Sequence, residues 1–322
     1  MITLSKLAKL ANVSVSTASK AFSGSKEVNE ETRVRIFSVA KEYGAFKKFY
    51  NVKYPRLVIG VVAPEFQSRN YGPLLADFQK ALEERGCSMT VAASGFLPNE
   101  NNKIYDYYSK YTDVDGIIVI GKYDEGEEDD MIPYVVVCGV GDCSKSVYSV
   151  EIDMGNALVS AIQHFKESGA ESVGCISELK TERKLNAFKN VMTEIYGGFD
   201  EKYIAVSEAR FEEGGYEGMK RLIESGNVPR AIICAYDNMT IGAIRCLRDY
   251  GMRVPEDVAF IGYDDNAESK FTVPSLSSIN VKKTESAVAA VDMLINRIFS
   301  KPCEKKIILE ASLEKRESSE IK

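Results

Sequence analysis

The single histidine of this 322-residue chain, His164, lies between Gln163 and Phe165 in a stretch that reads as an ordinary amphipathic helix. Ser-His-Asp or Cys-His chemistry would need that ring beside a nucleophile, and no partnered nucleophile accompanies it. One histidine also removes most zinc-site layouts. The seven cysteines, Cys87, Cys138, Cys143, Cys175, Cys234, Cys246 and Cys303, form no Cys-x-x-Cys pair and mostly sit in apolar runs, so they read as buried reduced thiols. Gly116-Ile-Ile-Val-Ile-Gly-Lys122 has the glycine and lysine spacing of a phosphate-binding loop. Tyr123 stands where Ser or Thr is needed, however, and the intervening residues read as a strand, so no nucleotide cradle is expected. The acidic run Glu125, Glu127, Glu128, Asp129 and Asp130 lacks the spacing and glycine of a calcium loop and reads as solvated. Asp264 and Asp265 are adjacent rather than facing and make no acid-base pair. No catalytic residue, metal or cofactor is expected: the chain does not read as an enzyme.

The elements around these residues point elsewhere. Residues 1–56 hold eleven Lys and Arg against four Glu, a net +7, which leaves −13 for the remainder given the whole-chain −6. A basic segment joined to an acidic body suits a chain of which one part approaches a polyanion, and nucleic acid is the first candidate. At 45% hydrophobic and 27% charged residues, the chain has a globular composition and the length of two or three domains. The longest apolar runs fall well short of a bilayer span, and the N-terminus lacks the apolar stretch of a signal peptide, so no membrane contact and a cytoplasmic location are expected.

The basic segment reads as three helices. Thr3 caps the first, with Leu4, Leu7, Ala8 and Ala11 at helical spacing. Asn12 suits the left-handed turn that follows. Ser14 caps the second, in which Val15, Ala18 and Phe22 face inward, Ser16, Thr17, Ser19 and Lys20 face out, and Gly24 ends the helix. Asn29 caps the third, Glu30 to about Tyr43, with Ile36, Phe37, Ala40 and Tyr43 at core spacing. Two helices about three residues apart, with small polar residues outside the second, make a helix-turn-helix.

The run from Thr3 to Ser25, with its Val-Ser-x-x-Thr pattern at Val13 to Thr17, and the following Val28-Asn-Glu-Glu-Thr-Arg-Val-Arg-Ile closely resemble the DNA-binding head of the lactose-repressor (LacI/GalR) family. The resemblance implies that the second helix lies in the major groove with Val15, Ser16 and Lys20 at base edges, while Thr3, Ser14, Thr17, Asn29 and Thr32 hold phosphates. Hydroxyls and helix N-termini suit phosphate oxygens, and Lys can donate to guanine O6 and N7. The family usually has Arg where Lys20 stands, and Lys lacks the bidentate fork. A homodimeric regulator on a double-stranded DNA operator, acting as a repressor, is the implied function.

From Leu57 onward β-rich runs alternate with helical stretches: Leu57 to Ala63, a helix about Tyr71 to Arg85, Met89 to Ala93, Gly116 to Ile120, Tyr134 to Cys138, Val147 to Ile152, Ser172 to Ser177, Tyr203 to Ser207, Ala231 to Cys234, Val258 to Gly262 and Ser278 to Val281. The alternation predicts parallel sheets with crossover helices, in two doubly wound lobes rather than one sheet. Asp115-Gly-Ile-Ile-Val-Ile-Gly, the Val228 to Arg245 segment, Gly251 to Asp265 and Leu313-Glu-Lys-Arg-Glu-Ser-Ser resemble the effector-binding body of the same family. The expected fold class is therefore α/β: a three-helix helix-turn-helix head (1–56, with linker) plus a two-lobed, doubly wound, periplasmic-binding-protein-like body (57–322). Lobe 1 would take about 57–152 and 283–300, and lobe 2 about 153–280.

The resemblance further implies a small-molecule effector, a sugar, between the lobes. Its contacts would be Asp264, Tyr236 with Asp237, Arg183 or Lys184, Phe211, and Tyr71 from the first lobe. Carboxylates and cations can bridge vicinal hydroxyls while an aromatic face covers a ring. Tyr236 stands where Asn is usual, so a regulator without effector response is the alternative. An exported binding protein would need export and no basic head, and a sugar-processing enzyme would need an acid-base or metal cluster. The linker departs most from the family's Tyr-x-Pro-Asn-x-x-Ala-x-x-Leu: Tyr43-Gly-Ala-Phe-Lys-Lys-Phe-Tyr-Asn-Val-Lys-Tyr-Pro-Arg has neither the proline two residues after the tyrosine nor the leucine that wedges between base pairs. Either Phe49 or Tyr50 replaces the wedge, with Lys47, Lys48 and Lys53 on phosphates, or the aromatics pack against the body and no insertion occurs.

Overall fold

A computed structural model of the protein describes residues 2–49, 57–121, 132–140 and 146–321. The acidic run at 125–130, Lys122, Tyr123, Cys143, Tyr50 and Lys53 lie outside the described residues. The chain divides into two units, Met1–Glu151 with Thr284–Ile307, and Ile152–Lys283 with Ile308–Lys322.

The first unit begins with α1 (Leu4–Leu10), α2 (Val15–Phe22), α3 (Glu30–Glu42) and a short α4 (Phe46–Phe49). Leu7, Ala8, Ala18, Ala21, Phe22, Ile36 and Ala40 are buried together, which is the apolar stripe of each helix turned to a common centre. Asn12 takes φ 52° in the turn between α1 and α2, the left-handed geometry that Asn tolerates. Two positions differ from expectation. Val15 is 46% exposed, because as the first residue of α2 it lies beyond the stripe that Ala18, Ala21 and Phe22 complete. Tyr43 is 47% exposed, because α3 ends before it; Gly44 then turns at φ 59° and delivers Ala45 to the buried place.

The body runs β1 (Val58–Ala63), α5 (Tyr71–Glu84), β2 (Ser88–Ala93), α6 (Pro98–Tyr111), β3 (Gly116–Ile120), β4 (Tyr134–Gly139), β5 (Ser149–Asp153), α7 (Gly155–Glu167), β6 (Val173–Glu178), α8 (Glu182–Tyr196), β7 (Ile204–Ser207), α9 (Phe211–Glu224), β8 (Ala231–Cys234), α10 (Asp237–Asp249), β9 (Ala259–Tyr263), β10 (Ser277–Asn280), α11 (Lys283–Ile298), β11 (Lys306–Glu310) and β12 (Ser312–Glu314). One sheet has the order β11-β5-β4-β3-β1-β2 and the other β12-β10-β9-β8-β6-β7. In the first, β1 pairs in parallel with both β2 and β3; in the second, β6 pairs in parallel with both β7 and β8. Strands such as β3 and β8 are buried along their whole length, as expected where helices cover both faces of a parallel sheet. The chain order reverses between β6 and β8, the kind of switch point at which an open α/β sheet leaves a crevice beyond its strand ends. No helix among the described residues is long and apolar enough to cross a membrane.

Candidate nucleic-acid interface and strand-end cluster

Each of the three long helices of the head is closed at its N-terminus by a side chain. Thr3 Oγ1 accepts from Lys6 N (3.3 Å), Ser14 Oγ from Thr17 N (3.0 Å), and Asn29 Oδ1 from Thr32 N (2.8 Å). The Ser14 and Thr17 hydroxyls also bond each other at 2.8 Å. These caps take up some of the unpaired N–H groups of the first turns while leaving the positive dipole end facing outward. Ser16 and Lys20 are exposed on α2 beside Val15. Lys20 Nζ forms an ion pair with Glu27, which lies in the loop leading to α3. Arg33 fixes that loop from α3: its guanidinium donates to the carbonyls of Ala21 (3.0 Å), Ser25 (2.8 Å) and Val28 (3.1 Å).

The linker aromatics close the head. Phe22 meets Phe37 at 5.2 Å, Phe46 at 6.0 Å and Phe49 at 5.7 Å between ring centroids, and Phe37 meets Phe46 edge-on at 4.9 Å. Lys41 covers the Phe46 ring and Lys48 the Phe49 ring. Phe46 and Phe49 are thus part of the head's own core, a placement that neither linker reading had anticipated, although α4 also neighbours α6 in the same unit.

In the second unit, the C-terminal ends of β9, β8, β6 and β7 bring a second group together. Lys184, on the first turn of α8, stands 3.6 Å from Asp264, donates to the carbonyl of Ala235 at 2.8 Å, and lies over the Tyr263 ring at 4.4 Å. Next to it, Arg210 stands 3.5 Å from the buried Glu178 and stacks on the Phe211 ring at 4.5 Å. The Phe211 N–H donates to the Tyr236 hydroxyl at 2.8 Å, and burial pushes that phenol up to about 12. Asp264 has φ 94° and Phe211 φ 57°, both in the left-handed region that non-glycine residues avoid. Such strain persists only where surrounding contacts impose it, and it concentrates at functional sites.

Asp237 has a different position. It is fully buried; its Oδ2 accepts from Asn266 N (2.8 Å) and Ser269 Oγ (2.7 Å), and its Oδ1 from Ser278 Oγ (2.6 Å). Burial first, then the Asp264 carboxylate, pushes it up to about 7. Asp265 turns away from Asp264, toward Arg316 at 2.6 Å and Asn280 at 3.1 Å.

A family profile described as "Bacterial regulatory proteins, lacI family" matches residues 3–44, which span α1, α2 and α3. Another, described as "Periplasmic binding protein-like domain", matches residues 162–319. The head is a LacI-family domain. The whole chain is 28% identical over 319 residues to the HTH-type transcriptional repressor PurR of Klebsiella pneumoniae (strain 342), covering 94% of this chain and 92% of that protein. It is 25% identical over 318 residues to the HTH-type transcriptional regulator GalR of Streptococcus thermophilus, with 93% and 94% covered. Among solved structures it resembles a transcriptional regulator CelR–cellobiose complex (TM-score 0.67, 25% identity, 99% and 100% covered). It shares its fold with the lac repressor dimer bound to operator and the anti-inducer ONPF (TM-score 0.70, 19% identity, 99% of each chain). It is a DNA-binding transcriptional regulator and not an enzyme, and LacI-family regulators bind operators as dimers.

The strand-end cluster gathers Phe211, Tyr236 and Asp264 and, of the two cations expected there, Lys184, whereas Arg183 is exposed. Asp237 lies behind them with its oxygens occupied. Tyr71 belongs to the first unit, where its ring meets Phe96 edge-on at 6.1 Å. Glu178 and Arg210 escaped the sequence reading, since a Glu ending a strand and an Arg preceding a helix carry no signal without the pairing. His164 is half-buried, with Nε2 3.0 Å from Ser319 Oγ; burial, then Lys315, holds its pKa below the usual value. A cavity of about 530 Å³ opens beside it between α7 and β12, lined by residues other than those of the strand-end cluster. Cys87, Cys138, Cys175, Cys234 and Cys246 are buried free thiols, Cys303 is half-buried, and burial pushes Cys175 up to about 12.

Proposed function

We propose that this regulator is a cytoplasmic repressor that binds a two-fold operator as a homodimer and releases or engages it in response to a small polyhydroxylated ligand, a carbohydrate. The head would be residues 1–56 and the two lobes of the body about 57–152 with 283–300, and 153–280. Val15, Ser16 and Lys20 read base edges, and Thr3, Ser14, Thr17, Asn29 and Thr32 hold phosphates. The carrying observation is the capped α2 with Val15, Ser16 and Lys20 on its open face, a surface of the size and chemistry that enters a major groove. One such helix covers a half-site, and a symmetric dimer reads two.

The ligand sits at the strand-end cluster of the second unit, with Phe211 against its ring and with Asp264, Lys184 and the Tyr236 hydroxyl on its oxygens. Asp237 serves from behind, by anchoring Asn266 and Ser269 in the segment that follows Asp264. Support comes from the strained Asp264 and Phe211 at a sheet switch point, and from the relative solved with cellobiose. The alternative, a regulator without effector response, is favoured by one observation: Lys184 already has a carbonyl, a carboxylate and a ring for partners. Selection of duplexes from a random library, followed by anisotropy titration of the selected site with a panel of mono- and disaccharides, tests both. A two-fold consensus with a saccharide that shifts its affinity supports the first reading, and a two-fold consensus untouched by any small molecule supports the alternative. Failure to select any sequence overturns the operator reading.

A further inference from the structure

Of the four acidic residues in the head, Glu30 and Glu31 lie in the first turn of α3 and Glu42 in its last. Among the described residues, Glu27 alone of these is ion-paired with a residue on the open face of α2, and that residue is Lys20. Both side chains are exposed, at 46% and 69%, but the backbone that presents Glu27 is held in place. The loop that carries Glu27 is fixed by Arg33 through the carbonyls of Ser25 and Val28, and the Glu27 N–H donates to Ser25 Oγ at 3.3 Å. Glu27 is held below the usual carboxylate range by the hydrogen bond and charge of Lys20, so it stays ionised throughout the neutral range.

We infer that Glu27 is a specificity-determining residue of the head, a fixed counter-charge that DNA must displace from Lys20. This rests on the reading of Lys20 as a base-edge donor. An exposed Lys gains affinity from any phosphate, whatever the sequence. A Lys already paired gains little from a phosphate, because one anion only replaces another and Glu27 is left facing the polyanion. A guanine edge offers two acceptors, O6 and N7, in one place and compensates for the lost pair. Glu27 therefore weakens binding to arbitrary DNA more than binding to the operator, and raises the ratio between them.

The test uses the full chain with two probes, a duplex selected by the wild-type protein from a random library and a scrambled duplex of the same composition. Wild type, Glu27→Gln, Lys20→Ala and the double variant are titrated on both across a range of salt. Exposed ion pairs are weak, so Glu27→Gln is expected to tighten scrambled-duplex binding by about two- to fivefold. It should steepen the salt dependence there by about one phosphate contact, and change operator binding less. In the Lys20→Ala background the same change should shrink. A ratio unchanged by Glu27→Gln, or an equal effect in both backgrounds, overturns this inference while leaving the operator reading in place. A wild-type chain that does not discriminate between the duplexes overturns both.

Discussion

Gly262 and Asp237 are packed so closely that a Cβ on the glycine would stand 2.3 Å from Asp237 Oδ1 and 2.9 Å from Thr240 Oγ1. The start of α10 and the end of β9 meet at that point, and the hydrogen-bonded Asp237 ties both to Asn266, Ser269 and Ser278. A methyl group there must push a buried carboxylate off its partners. Gly262→Ala is expected to cost about 1–3 kcal/mol, measured by urea unfolding. A cost below about 0.5 kcal/mol would mean that the junction yields easily.

The same carboxyl carries a pH dependence. Its ordinary value is near 4 and its folded value about 7, so the folded state binds this proton more tightly than the unfolded chain does. Its contribution to stability is therefore complete below about pH 4 and is lost as pH rises through about 7. Asn at this position cannot titrate. Between about pH 5.5 and 7.5, the stability difference between wild type and Asp237→Asn should move toward the variant by on the order of 1 kcal/mol. A difference that stays flat over that window would refute the shift.

On DNA, Lys20→Ala should cost about 1 to 3 kcal/mol at the selected site and relax selectivity at one base pair. Thr17→Ala should weaken all duplexes alike. An unchanged ranking of single-base operator variants in Lys20→Ala would remove Lys20 from base reading.

Phe49 contributes a ring to the head core, so Phe49→Ala should destabilise the head by about 1 to 2 kcal/mol, a fraction of the loss for a fully buried ring. Hydrogen exchange on the intact chain would report this as faster exchange confined to α2 and α3. Operator bending should stay below about 30°, because a ring packed against Phe22 is not free to wedge between bases. A larger bend that vanishes in the variant would show that the ring leaves the core on DNA.

In the body, Lys184→Ala and Asp264→Ala should each abolish the ligand's effect on operator affinity while leaving unliganded operator binding in place. Loss of operator binding with an intact ligand response would assign these residues another purpose. A ligand that binds without shifting operator affinity would rule out coupling between the two activities.

Local chemistry made much of this legible in the sequence. The caps Ser14 and Asn29, the left-handed Asn12 and the fully apolar strands such as β3 each follow from residue type and spacing over a few positions. The choice between Arg183 and Lys184 did not, because it depends on the phase of α8. A single turn of 3-10 helix, Leu179–Thr181, precedes α8, closed by a capping box between Glu178 and Thr181, and it decides which side chain meets Asp264. Strands β11 and β12 were missed because they are sheet edges, short and only partly buried, and Lys306 and Glu310 flank so brief an apolar run. The α4 segment was missed because four residues give no helical period, and what holds it is tertiary contact with Phe22 and Phe37.

The three carbonyls gathered by Arg33 have a calorimetric consequence. With Ala21, Ser25 and Val28 tied to α3 before any nucleic acid arrives, α2 and the loop that follows it have little left to fold on docking. Operator association by the head should then lack the large negative heat-capacity change of coupled folding and binding, and little of its interaction energy should go to ordering the chain.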